Sequence, residues 1–373
     1  MVGNVNGAGV AATTELAGRA AVQQAHSADR PASGRKLYNV QALRALAAWA
    51  VVGHHLVDAL HNYIAKDRGL PNPSIGSFGV EIFFVISGYV MMLTASRRRL
   101  APGKFFVERL VRISPPYWLL TIAAFGAIYS GLNMFGHKQA TFDRLFASLL
   151  YMPYFNGAQL ERPVVFPGWT LNYEMMFYAL FALCLFIRSE RWRMAAMIGA
   201  ITLAVLAQFF STSPLADYLG RDIIVGFAFG ILLWPLSNRL VISRAVAAIA
   251  MSAGFALLIV CDATWLRDAT HAELVVSFGA LLIVAGALFL EKSGHALRSG
   301  WVIFQGDASY ALYLIHPFAL QAVGKASLLA GINQSVPGLI LTLVMMVVAA
   351  ALAAAAMHIL FERPVHRMAR KLL

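Results

Sequence analysis

The chain has 373 residues, of which 59% are hydrophobic and 13% charged, and it carries a net charge of +12. A soluble domain holds roughly 25% charged and about 45–50% apolar residues, so an ordinary soluble globule is excluded. The apolar residues are gathered into runs close to the ~20 that carry a helix across a ~30 Å hydrocarbon core.

Lipid offers no partner to an open backbone, which leaves helices or a closed barrel. The ~10-residue alternating segments of a barrel are missing, and the expected fold is all-α, a polytopic transmembrane bundle of about ten helices. The basic excess comes with no nucleic-acid motif; it is read as loop charge that orients the chain in a membrane.

In chain order, residues 1–37 are rich in Ala, Gly and Ser and lack an apolar block. They read as a disordered cytoplasmic tail and not as a signal peptide. Ten spans follow, at 39–60, 78–96, 113–131, 171–187, 194–211, 220–237, 245–262, 272–290, 307–329 and 336–361. The connection 132–170 is the longest and is expected to hold a short interfacial helix near 141–151. The membrane domain is placed at 38–366 and a basic cytoplasmic tail at 367–373. With the N-terminus inside, the inner loops hold most of the loop Lys and Arg, so both termini are expected in the cytoplasm. Cys184 and Cys261 fall in apolar runs and read as packing residues.

Ionisable groups inside such spans cost ~2.5–3.5 kcal/mol each on insertion scales and mark function by default. In the first span, Arg44 and His55 are eleven residues apart. That is three turns and ~16 Å at 1.5 Å per residue, so both face the same way. The imidazole suits a general base, while His54 points about 100° away. Glu81 opens the second span, where it would orient a histidine or bond a sugar, and Ser87-Gly88 lies deeper. Arg109 and Arg112 share one helical face and suit phosphate oxygens. Glu174 enters the fourth span behind Trp169. His316 lies in a span that opens with Ser309 and Tyr310, and Glu362-Arg363-Pro364 closes the last.

These stretches resemble acyltransferase family 3, the integral-membrane O-acyltransferases that modify polysaccharides and other exported glycans. The resemblance rests on Arg44 with His55; Gly79, Glu81, Phe83, Phe84, Ser87 and Gly88; Arg109 and Arg112 leading into Pro115, Tyr117 and Trp118; Trp169-Thr170-Leu171 with Glu174; Ser309, Tyr310, Leu312, Tyr313 and His316; and Glu362 with Pro364. Thr170 stands where the family has Ser, and Glu108 where it often has a second Arg.

The resemblance implies transfer of an acyl group, with acetyl expected, from acyl-CoA to a carbohydrate hydroxyl of an exopolysaccharide, O-antigen or lipid-linked precursor. It implies no metal and no nucleic acid. It also implies an inner-membrane location and a place beside glycan assembly machinery. In this reading Arg44, Arg109 and Arg112 hold the donor. His55 is the base, and Glu81 or Glu174 orients the imidazole or the sugar. Ser87, Tyr117, Trp118, Trp169, Ser309, Tyr310, His316 and Glu362 complete the motifs. The alternative is a transporter or flippase-like partner of glycan export with a buried His/Glu relay.

Overall fold

The computed structural model describes residues 36–60, 75–97, 100–136, 140–264 and 271–372. The expected N-terminal tail lies almost wholly outside the described residues, as do Lys66, Arg68, Arg98, Arg99, Lys138 and Arg267 of the predicted loops. Among the described residues the chain is an all-α polytopic bundle with one small hairpin.

Its helices are α1 (Tyr38–Ala59), α2 (Gly79–Arg97), α3 (Pro102–Tyr129), the short α4 (Phe142–Leu149), α5 (Gly168–Cys184), α6 (Glu190–Phe210), α7 (Pro214–Leu219) and α8 (Val225–Arg239). They continue with α9 (Arg244–Ala263), α10 (Ala272–Lys292), α11 (Gly300–Asp307), α12 (Ser309–Leu329), α13 (Val336–Met357) and α14 (Arg363–Leu372). A π-helical turn, His358–Glu362, joins the last two. The antiparallel strands β1 (Tyr154–Asn156) and β2 (Gln159–Glu161) sit in the long connection.

The ten long helices fall on the ten predicted spans. Among the described residues, seven segments are long and apolar enough to cross a membrane on length and composition alone. The three that fall short are α1, α5 and α12, which bear His55, Glu174 and His316. α5 is short, at 17 residues, while the polarity of α1 and α12 is tolerated because they are sheltered: α1 packs against α2, α10, α11 and α12, and α12 packs on α1, α3 and α13. Small residues let the backbones close in, with Ala48 and Val52 of α1 meeting Leu312 of α12 and Ala350 and Ala354 of α13. Peripheral helices show the opposite pattern. Leu203 and Phe210 of α6, Ile249 of α9 and Leu352 of α13 are exposed, an apolar rim that lipid covers.

Two features position the ends of this framework. Glu291 of α10 accepts the first backbone N–H groups of α1, from Tyr38 (3.0 Å) and Asn39 (2.8 Å). It satisfies donors that a helix start leaves open and sets the height of everything on α1. Elsewhere, Gly88 of α2 and Gly230 of α8 lie so close that a Cβ on either would run into the other helix's backbone.

One expectation is corrected. The third span does not begin near Pro115: α3 starts at Pro102 and runs through Pro115 and Pro116, so the basic stretch is helix and not loop. Pro116 has no N–H to give the Arg112 carbonyl, and His366 Nε2 donates to that oxygen instead (3.3 Å). Residues 367–372, in the basic C-terminal segment, continue α14.

Candidate active site

One end of the bundle opens into a cleft of about 950 Å³ between α1, α3, α12 and α14. Six Lys and Arg side chains line it (Arg44, Lys104, Arg109, Arg112, Arg363 and Arg367), against three carboxylates, Glu108, Asp307 and Glu362. The surplus of cations suits an anionic guest. Arg44 is steadied by Gln41 (3.2 Å). The Arg109 guanidinium lies over the rings of Phe105 (5.3 Å) and Tyr178 (5.5 Å), a stacking that its planar fork permits and a Lys would not reproduce.

The π turn supplies the far wall. His358 Nδ1 and Glu362 Oε2 are 2.6 Å apart and buried, while Arg363 Nε donates to His358 Nε2 (3.1 Å). A nitrogen that accepts carries no proton, so the His358 proton sits on Nδ1 and is donated to Glu362. Such turns often mark functional sites.

From the cleft, polar side chains run inward along α5 and α12. Tyr178 donates to Glu174 one turn earlier on α5, and Ser87 Oγ of α2 reaches the Tyr178 hydroxyl at 3.5 Å. On α12, Tyr310, Tyr313 and His316 recur at every third position, along one side of the helix. Tyr310 lines the cleft and donates to the Ile113 carbonyl (2.7 Å). The Thr170 and Tyr313 hydroxyls lie 2.7 Å apart and both reach the Pro167 carbonyl, at 3.0 and 3.3 Å, so one hydroxyl donates to the carbonyl and the other to its neighbour's oxygen.

The stripe ends at paired imidazoles. His55 and His316 stack with ring centroids 5.3 Å apart, and Phe166 sits edge-on to His55 at 4.7 Å. His55 Nδ1 lies 3.1 Å from Asp58 Oδ2. A carboxylate only accepts, so Nδ1 carries the proton and Nε2 keeps the lone pair. A carboxylate that holds an imidazole in this tautomer also stabilises the imidazolium formed when Nε2 takes a proton. His316 is fully buried. Its Nδ1 donates to the Leu312 carbonyl (3.1 Å), and its Nε2 has no hydrogen-bond partner. His54 Nε2 is 3.8 Å from the same Asp58. The ligand atoms of His54, His55 and Asp58 lie within 4.8 Å of one another, close enough that divalent-ion binding is worth testing.

The predicted residues thus divide. Arg44, Arg109, Arg112, Tyr310 and Glu362 meet in the cleft; Glu174 and Ser87 meet at Tyr178; His55 meets His316. The contacts of Glu174 and Glu81 lie elsewhere, and the carboxylate on the His55 imidazole is Asp58. Glu81 lines a separate cavity with Trp169. Tyr117 is fully buried and stacks on Tyr151 (5.3 Å), and Trp118 donates to the Leu149 carbonyl (2.9 Å). Both pin the long connection to α3. Ser309 is buried at the start of α12. Sequence reasoning missed Asp58, although its i, i+3 spacing from His55 is legible on a helix. It also missed His358 and Tyr178, whose roles depend on neighbours.

A helical membrane bundle with an inward stripe of arginine, tyrosine and histidine is built either for group transfer or for transport. The family model described as an acyltransferase domain matches residues 37–358, and the chain belongs to acyltransferase family 3. It is similar to the exopolysaccharide production protein ExoZ of Rhizobium meliloti, at 34% identity over 307 residues, covering 80% of this chain and 92% of that one. It is also similar to the peptidoglycan O-acetyltransferase OatA of Listeria monocytogenes, at 26% identity over 322 residues, covering 74% of this chain and 48% of that one. A third relative is the putative membrane-bound transacylase BcsY of Komagataeibacter xylinus, at 26% identity, covering 49% of this chain and 50% of that one. No solved structure matches the chain. The protein is therefore a multi-pass membrane acyltransferase.

Proposed function

We propose that the chain transfers an acyl group, acetyl by preference, from acyl-CoA to a hydroxyl of an exopolysaccharide or its lipid-linked precursor. The relatives named for exopolysaccharide production and peptidoglycan O-acetylation support the acceptor class. The observation that carries the reading is the Asp58–His55 pair, set ~16 Å along α1 from the arginine cleft. The nucleotide phosphates of the donor dock on Arg44, Arg109 and Arg112. The pantetheine arm follows the stripe of Tyr310 and Tyr313 and brings the thioester to His55. His55 Nε2 takes the proton of the acceptor hydroxyl, and the oxygen attacks the thioester carbonyl carbon. The carbon–sulfur bond breaks, and the imidazolium returns the proton to the leaving thiolate.

Charge placement supports the cleft as the cytoplasmic end of an inner-membrane protein with both termini inside, where CoA esters are available. Glycan assembly machinery would supply the acceptor beside the opposite end.

Mass spectrometry of cell polysaccharide, with and without the gene, tests the reading. Loss of acyl mass at constant chain length is the expected result. Loss of the polymer itself would assign an assembly role, and unchanged glycan with altered solute uptake would assign transport; either sinks the proposal.

A further inference from the structure

A second cavity, of about 250 Å³, lies away from the arginine cleft. Its walls include Glu81 of α2, Trp169 of α5, Arg221 before α8, and Glu273 and Val276 of α10. The polar groups are not equally satisfied. Arg221 donates to Glu273 and lies 5.1 Å over the Trp169 ring. The second oxygen of Glu273 accepts the Ile223 N–H (3.1 Å). Glu81, by contrast, is only 5% exposed, and its Oε2 is buried without a hydrogen-bond partner. An orphaned buried acceptor is costly, and the Glu81 side chain lines the cavity, so a guest whose donor reaches Oε2 would relieve that cost.

The chemistry of that donor can be narrowed. A bare cation needs converging oxygens. Among the described residues, the ligand-sized cluster of acids and histidines is His54, His55 and Asp58, and Glu81 is not part of it. The cavity offers the carboxyl groups of Glu81 and Asp262, the Ser77 hydroxyl, an arginine–glutamate pair and an indole wall. Those features suit a neutral polyol, whose C–H face packs on the ring while its hydroxyls donate to the carboxylate. A volume of 250 Å³, about eight waters' worth of liquid, is on the scale of a single sugar ring.

One turn of chain links the cavity wall to the imidazoles. Phe166, which touches His55, and Trp169 belong to one turn closed by Trp169 N–H donating to the Phe166 carbonyl (3.2 Å).

We propose that this cavity is a subsite for one sugar unit of the acceptor, held by the Glu81 carboxylate beside the unit that is acylated at His55. The inference rests on the acyl-transfer reading above.

Wild type, Glu81→Gln and Val276→Trp would be compared in lipid nanodiscs. The donor is acetyl-CoA, and the acceptor probe is a set of oligosaccharides released from the host cell's exopolysaccharide and stripped of O-acyl groups. The Trp variant fills the cavity from an apolar wall, and the Gln variant keeps size and shape, so it carries the test if the Trp variant fails to insert. The KM for oligosaccharide should rise about three- to tenfold, the scale of one hydrogen bond, while the KM for acetyl-CoA moves less than about twofold. Unchanged acceptor KM in a correctly inserted variant, or equal rises in both constants, would overturn the subsite while leaving the acyl-transfer reading intact. Wild type that acylates none of the oligosaccharides would overturn both.

Discussion

The two ends of the α1 stripe differ in the way two halves of a transfer site should. The arginine cleft is wide, about 950 Å³, and its cations outnumber its carboxylates six to three. The histidine end is close-packed, with imidazoles and Phe166 in ring contact and a single carboxylate on His55. The first holds charge and tolerates a flexible guest; the second fixes a tautomer. Binding energy spent in the cleft can therefore be varied without touching the proton chemistry, and the two ends should fail differently when broken.

The largest failure should come from His55→Ala. Losing the general base should lower transfer about 10²- to 10⁴-fold, with the KM for acyl-CoA nearly unchanged, measured on purified, correctly inserted protein. Asp58→Asn should follow, at about 10²-fold in kcat. An amide donates from its nitrogen and no longer fixes the proton on Nδ1, as the loss of the orienting carboxylate does in hydrolytic triads. A variant with full turnover would show that the close contact is only structural.

At the other end, Arg109→Ala should raise the KM for acyl-CoA about 10- to 100-fold through one lost charge-assisted contact, with a smaller change in kcat. Arg109→Lys should not restore it, because the guanidinium is stacked on two rings. A fall in kcat that equals the change in KM would erase the division between the ends. The smallest effect expected is from chelation. If His54, His55 and Asp58 serve as base and orienting group, exhaustive dialysis against EDTA should change the rate less than about twofold, against the 10- to 100-fold losses that follow damage to a metal site's outer shell. Loss of activity that Zn²⁺ restores would recast that end as a metal centre.

Much of this site could be read from residue order. The helices come from apolar run length, and the shared face of Arg44 and His55 comes from the helical period; so does the line of Tyr310, Tyr313 and His316. Asp58 is equally local, three residues from His55 on the same helix. The prolines of α3 misled for a physical reason. A missing donor normally ends or bends a helix, and here a histidine from α14 takes the freed carbonyl.

The carboxylates of Glu81 and Glu174 were beyond local reasoning. Both sit in spans of mixed face, and nothing in a helix's own periodicity says how far it is rotated toward each neighbour. That rotation is decided by packing. The approach of α2 and α8 at Gly88 and Gly230 and the wrapping of α1 by its neighbours turn Glu81 into its own cavity. Glu174 is taken by Tyr178 on its own helix, an intrahelical contact that sequence spacing allows but does not require.

The sequence by itself determined the membrane class, the helices and the stripe on α1, because each follows from hydrophobic length or a period of 3.6. The stacking of His55 on His316, the distance of Glu81 from that pair, and the existence of a second cavity were decided only by the tertiary structure. Each depends on the mutual rotation of helices that are distant in sequence.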